Sequence, residues 1–134
     1  MKFSVAICVY DGDDAAHFSA AVASIQQQAV PPTEIVLVVD GPVRPELDTV
    51  IKGYEGDTVF KVVRLAENSG HGMARRTAIQ NTSYELVAVM DADDLAEPVR
   101  FARQLDCFAA DALLSIGGGQ IEELLSIPAR RAAE

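Results

Sequence analysis

Three aspartates follow a short apolar run near the middle of the chain. Leu86–Met90 is followed at once by Asp91, Asp93 and Asp94. Carboxylates this close repel one another unless a cation lies among them, and oxygen ligands select a hard divalent ion such as Mg²⁺ or Mn²⁺ that can also bind phosphate. The pattern predicts a metal site on Asp91 and Asp93. The alternative is that Asp93 or Asp94 caps the turn before a helix near Pro98, with Asp91 solvated.

Two more segments carry groups that could recognise a ligand. Asp40, in "VVDG", ends an apolar run, where it could accept hydrogen bonds from a base or ribose; the alternative is an Asx-type turn with Gly41. Gly70 and Gly72 precede Arg75 at the start of a helical pattern, so the helix amides and the arginine could face an anion. The alternative is that Arg75 is solvated, which is the commoner outcome for an arginine after two glycines.

Composition limits the classes of partner. The chain has 134 residues, with 20 acidic against 11 basic side chains and a net charge of −9. This charge argues against a nucleic acid or an anionic membrane surface as the main partner. No apolar run is long enough to span a bilayer or to serve as a secretory signal, which favours a cytoplasmic location. Cys8 and Cys107 show no metal-binding spacing and are predicted to be buried, reduced thiols.

Alternating strand and helix patterns must position these residues. A first helix is expected to begin after a cap at Asp13 or Asp14, with an apolar stripe at Phe18, Val22, Ile25 and Ala29. A second is expected over Pro45–Lys52 and a third after the glycines. A fourth is expected from about Pro98, with Phe101, Leu105 and Phe108 on one face. Strands are predicted over Phe3–Val9, Glu34–Gly41, Thr58–Leu65, Leu86–Met90 and, fifth, Ala112–Gly119.

This order predicts an α/β fold with a mainly parallel sheet and helices on both faces. The carboxyl ends of parallel strands share one edge, where ligands bind in such folds. Asp11, Asp40 and Asp91 each follow or end a strand, so all three should lie on that edge.

Three segments in order resemble the N-terminal half of family 2 glycosyltransferases with the GT-A fold. They are "SVAICVYDGDD…EIVLVVDGP", "VVRLAENSGHGMARRTAI" and "SYELVAVMDADDLAEPVRFARQL", and the resemblance covers about residues 3–119. It implies a Rossmann-like domain that binds a nucleotide diphosphate sugar, with a UDP-sugar as the expected donor. The acceptor in such enzymes is a saccharide or a glycolipid, and an inner-membrane peripheral position is then an alternative location.

The resemblance also implies residue roles. Asp91 and Asp93 match the DxD motif, which binds the donor diphosphate through Mn²⁺ or Mg²⁺, and Asp94 would support them. Arg76 stands where the family has Asn and receives no role. The implied nucleotide-binding residues are Tyr10, Asp11, Asp40, Arg75 and Asp91.

The chain also departs from the family pattern. The family continues into an acceptor-binding half that carries a catalytic base, whereas this chain ends soon after Gly119 and contains no Trp. Residues 1–119 are therefore predicted to be the donor-binding subdomain and 120–134 a tail, with the acceptor half absent. Glu122 and Glu123 follow the DxD motif too closely to match the family's base and are interpreted as solvated.

Donor binding with weak or no turnover by an inverting glycosyltransferase is the leading hypothesis. The alternative is a non-catalytic nucleotide-binding or oligomerisation module. A homodimer is expected, because a half-domain leaves apolar surface uncovered that a second copy could cover. A response-regulator receiver is disfavoured, because its late lysine is missing: the last lysine is Lys61.

Overall fold

The computed structural model describes residues 1–119, which form a four-stranded sheet with four helices. The strand order is β3-β2-β1-β4 and every pair is parallel, which confirms the predicted α/β class. In chain order the elements are β1 Ser4–Val9, α1 Ala15–Gln26, β2 Glu34–Val39, α2 Pro45–Glu55, β3 Phe60–Arg64, α3 His71–Gln80, β4 Val87–Asp91 and α4 Arg100–Ala110.

Helices cover both faces of the sheet. Val5, Ile7 and Val9 of β1 pack in one core with residues of α1, α2 and α4. The residue between, Ala6, faces a second, smaller core with Ala74 and Ala78 of α3. Successive strand residues point to opposite faces, so a near-continuous apolar strand such as β1 requires cover on both sides. The small side chains of α3 allow that helix to lie close to the sheet.

Helix α1 begins as predicted and ends earlier than its apolar stripe indicated. Asp14 is the N-cap, and its carboxylate accepts a hydrogen bond from the His17 backbone N–H at 3.0 Å. The helix ends at Gln26, so Ala29 is exposed and does not extend the stripe. Gln28 is buried instead, because its amide is hydrogen-bonded to backbone groups of the segment after β4.

The fifth strand predicted over residues 112–119 is not formed. The segment has no regular structure beyond a turn, and Leu113 and Ile116 are 92% and 84% exposed. Three consecutive glycines at its end weaken any strand, since each loses much conformational freedom on ordering. Glu122, Glu123 and the rest of the predicted tail lie outside the described residues. Over residues 1–119, no helix combines the length and apolar character needed to cross a membrane.

Candidate functional site

An open cleft of about 470 Å³ lies at the carboxyl edge of the sheet. Its walls come from the loop after β1, the end of β2, the start of α3 and the end of β4, so the predicted convergence of strand ends is present. Tyr10, Asp40, Asp91 and Asp93 line the cleft, together with Asp13.

Asp40 is the buried acid of the cleft. It is 4% exposed, and its Oδ1 accepts hydrogen bonds from the Ser69 N–H at 2.7 Å and the Ser69 hydroxyl at 2.8 Å. Its Oδ2 accepts from the Gly70 N–H at 3.1 Å. The Asx turn with Gly41 is therefore not what satisfies this carboxylate. Because a carboxylate can accept about four hydrogen bonds, about one acceptor position is left for a ligand.

The loop before α3 also contacts the backbone at the end of β2. The Asn68 side-chain amide donates to the Asp40 carbonyl at 3.2 Å. Gly41 has a φ of 92°, and a Cβ there would lie 2.6 Å from the Asn68 nitrogen. Both the backbone conformation and the close approach thus require glycine at this position. The contacts fix the start of α3 against the cleft.

Arg75 reaches the cleft through Asp91. Its Nη2 donates to Asp91 Oδ1 at 2.8 Å, and His71 Nε2 lies 3.9 Å from the same oxygen. Both partners of the Arg75–Asp91 pair are partly exposed, so the pair adds little to stability. Its consequence is orientational, because it places a guanidinium beside the first aspartate of the DxD motif.

Burial, reinforced by neighbouring carboxylates, raises the pKa values of two acids in or beside the cleft. Burial, and then the charges of Asp91 and Asp93, raise the pKa of Asp94. Burial also raises the pKa of Asp13, where a hydrogen bond from the Tyr10 N–H acts in the opposite direction and the charge of Asp93 adds to the rise. Each of these pKa values would fall if a cation were bound beside the carboxylates.

The donor chemistry fits a hard divalent ion completed by ligand oxygens. Across residues 1–119, no three His, Cys, Asp or Glu side chains form a preassembled metal-binding group. Asp91 and Asp93 offer carboxylate oxygens at one edge of the cleft. Mg²⁺ needs only one or two carboxylates when phosphate and water complete its shell.

Asp11 lies apart from the cleft. Its Oδ1 accepts a hydrogen bond from the Arg44 N–H at 2.8 Å, and Arg44 Nε lies 3.7 Å from the same oxygen. The carboxylate therefore joins the loop after β1 to the start of α2. A direct ligand contact by this side chain would require those interactions to rearrange.

The two cysteines have different environments. Cys8 lines the cleft and is partly buried, and burial, opposed by Arg75 and reinforced by Asp40 and Asp91, raises its pKa to about 11. Cys107 is exposed, so the prediction of two buried thiols is wrong at that position. On α4 only Phe101 is buried, and Cys107 lies on another side of the helix.

Sequence reasoning missed the contributions of Asp13, Asn68 and Ser69. Asp13 was expected only as a possible helix cap, and its carboxylate instead accepts from the Tyr10 N–H at 3.0 Å beside the cleft. Asn68 and Ser69 resemble ordinary loop residues. The one available signal was their position directly before Gly70, the residue that precedes α3.

The parallel sheet with helices on both faces and an acidic cleft at its carboxyl edge has the architecture of the N-terminal domain of GT-A glycosyltransferases. The chain belongs to glycosyl transferase family 2, whose family model matches residues 4–124.

Several glycosyltransferases are similar to it in sequence. An uncharacterized glycosyltransferase of Haemophilus influenzae is 35% identical over 123 residues, which cover 92% of this chain and 46% of that protein. The amylovoran biosynthesis glycosyltransferase AmsE of Erwinia amylovora is 31% identical over 90% of this chain and 46% of its own length. A UDP-Gal:alpha-D-GlcNAc-diphosphoundecaprenol beta-1,3-galactosyltransferase of Escherichia coli is 31% identical over 91% of this chain and 44% of its own. The chain thus spans less than half the length of these relatives.

Solved structures share the fold. TarS of S. aureus in complex with UDP-GlcNAc superposes with a TM-score of 0.73 at 22% identity, over 92% of this chain and 37% of that one. The mannosyltransferase PcManGT of Pyrobaculum calidifontis, in complex with GDP-Man and Mn²⁺, has a TM-score of 0.67 at 22% identity, over 81% of this chain and 32% of its own.

Proposed function

We propose that residues 1–119 bind the donor of a glycosyl transfer reaction, a nucleoside diphosphate sugar with UDP as the expected nucleotide. The observation that carries this proposal is the cleft, in which Asp91 at the end of β4 and Asp93 in the following turn lie opposite the buried Asp40 and beside the start of α3. Relatives and structural neighbours named for nucleotide sugars support it.

Each lining group has a role in this proposal. Asp91 and Asp93 would hold Mn²⁺ or Mg²⁺, which when bound offsets the charge of the donor diphosphate. Arg75 would exchange its contact with Asp91 for one with the nucleotide. Asp40 has an acceptor position left for the base or ribose, and the Tyr10 ring offers an apolar face. Of the predicted nucleotide-binding residues, Asp11 has the least structural support, because its carboxylate already accepts a hydrogen bond from the Arg44 N–H.

Transfer itself requires groups beyond this cleft. An inverting displacement needs a general base near the acceptor hydroxyl, and within residues 1–119 we assign no side chain to that role. We propose that donor binding in this chain is separable from transfer to a saccharide or glycolipid acceptor, and that turnover by the chain alone is weak or absent.

We expect UDP to bind only in the presence of Mn²⁺ or Mg²⁺. Asp91→Asn and Asp93→Asn should each weaken UDP binding by about tenfold or more, since each removes a charged ligand of the ion. Isothermal titration calorimetry with and without Mn²⁺ measures this, and Asp106→Asn, an exposed acid on α4 away from the cleft, is the matched control. Absence of binding at about 1 mM UDP, equivalent to about −4 kcal/mol, would contradict the proposal.

A second candidate role, assembly of two copies, rests on one surface feature. Leu113 and Ile116 are highly exposed in the segment after α4, and burial against a second copy would remove these apolar side chains from water. We expect a homodimer in sedimentation velocity and a shift to monomer in the Leu113→Ser, Ile116→Ser double variant. A wild-type chain that remains monomeric at high concentration would rule this role out.

A further inference from the structure

Tyr10 is a half-exposed ring on the rim of the cleft, carried by a tightly closed loop. The side chain is 50% exposed and lines the cleft. The Tyr10 N–H donates to Asp13 Oδ2 at 3.0 Å, and the Asp13 N–H donates to the Tyr10 carbonyl at 3.0 Å. Two reciprocal hydrogen bonds therefore fix the backbone from which the ring projects.

The ring itself lies across Gly12. A Cβ at Gly12 would be 2.4 Å from both Cζ and the hydroxyl oxygen of Tyr10 and 2.5 Å from its Cε2. In residues 1–119 only Gly41 and Gly70 have a positive φ, so Gly12 is needed for space and not for its backbone conformation. An alanine here would be tolerated by the backbone and would displace the tyrosine ring.

We propose that Gly12 and Asp13 are positioning residues, which hold the Tyr10 ring as a preformed wall for the nucleotide base. The inference rests on the proposed nucleotide binding and goes beyond it, because neither residue is assigned a role by the family resemblance. An aromatic ring stacks on the face of any base. A ring already held in place binds without a further loss of side-chain freedom, which strengthens binding.

Calorimetric titration with UDP and Mn²⁺ tests the coupling between the two residues. Tyr10→Ala should weaken binding by about tenfold, as expected for loss of one stacked ring. Gly12→Ala alone should weaken UDP binding by less than Tyr10→Ala does. In the Tyr10→Ala background, adding Gly12→Ala should not weaken UDP binding further. Gly53→Ala is the matched control, because a Cβ there meets no atom within 4 Å. An equal loss from Gly12→Ala with and without Tyr10 would overturn the inference.

Asp13 is tested by its conservative variant. Asp13→Asn keeps an oxygen that can accept from the Tyr10 N–H and should retain most of the UDP affinity, whereas Asp13→Ala should lose several-fold. If both variants bind equally well, or if Asn is as weak as Ala, the hydrogen bond is not what positions the ring.

A readout without nucleotide separates this inference from the proposed function. The chain has three tyrosines and no tryptophan, so in a Tyr54→Phe, Tyr84→Phe background the fluorescence of Tyr10 is measured alone. Gly12→Ala should increase its quenching by acrylamide, because the ring is pushed towards solvent. Failure of the wild type to bind UDP would refute the donor site, while unchanged quenching in Gly12→Ala would refute the positioning role.

Discussion

Asp40→Ala is expected to lower the free energy of unfolding by about 2–4 kcal/mol. The carboxylate is buried and accepts three hydrogen bonds, two from Ser69 and one from Gly70. Without it, the two backbone N–H groups and the hydroxyl lose their acceptor, and the loop before α3 keeps only the Asn68 contact to the carbonyl of residue 40. Urea denaturation followed by circular dichroism measures the change.

Two variants show whether the loss comes from these hydrogen bonds. Ser69→Ala removes only the hydroxyl contact and should cost about 1 kcal/mol. Asp106→Ala removes an exposed acid and should stay within about 0.5 kcal/mol of the wild type. If Asp40→Ala unfolds at the same urea concentration as Asp106→Ala, the carboxylate does not hold the loop.

Gln28→Ala is expected to destabilise the fold by about 2–3 kcal/mol. The side chain is 5% exposed; its Nε2 donates to the carbonyls of Ser24 at 3.1 Å and Glu97 at 2.6 Å, and its Oε1 accepts from the Phe101 N–H at 3.1 Å. These contacts join the end of α1 to the segment that follows the DxD motif. Alanine would leave the Phe101 N–H without its acceptor in a buried position.

Gln26→Ala provides the matched control, because Gln26 is exposed at the end of the same helix. It should change the unfolding free energy by less than about 0.5 kcal/mol. We also expect Gln28→Ala to weaken UDP binding, since Asp91 and Asp93 lie directly before the segment that Gln28 holds. Equal stability of the two variants in urea would show that the backbone contact of Ala29 N–H to the Pro98 carbonyl, at 2.8 Å, is sufficient.

The sheet could be predicted from sequence because its strands are buried on both faces. Apolar runs such as residues 3–9 and 34–41 leave few alternatives to a covered parallel strand. The start of α1 is marked by a local signal, the capping Asp14, which does not depend on the rest of the chain. The common edge for Asp40 and Asp91 then follows from topology alone.

The partners of each polar group could not be predicted, because distant segments supply them. Gln28 resembles a surface residue until the chain near Glu97 meets it, and Asp40 gains its donors from a loop 29 residues later. The apolar run at residues 112–116 shows the converse: it pairs with no strand within residues 1–119, so a strand pattern alone is not sufficient. The hydrogen bond between the Asp11 carboxylate and the Arg44 N–H likewise joins two distant segments, and no local sequence pattern indicates it.

The pairing of β1 with β4 has a consequence for the order of folding. Ser4 in the first strand pairs with Val87 in the last, while β2 and β3 lie on the other side of β1. Closing the long loop between β1 and β4 costs more conformational entropy than pairing strands that are near in sequence. During synthesis on the ribosome, the acidic half of the cleft cannot exist until β4 has left the exit tunnel. A nucleotide bound as proposed would therefore stabilise only states in which β4 is already paired with β1.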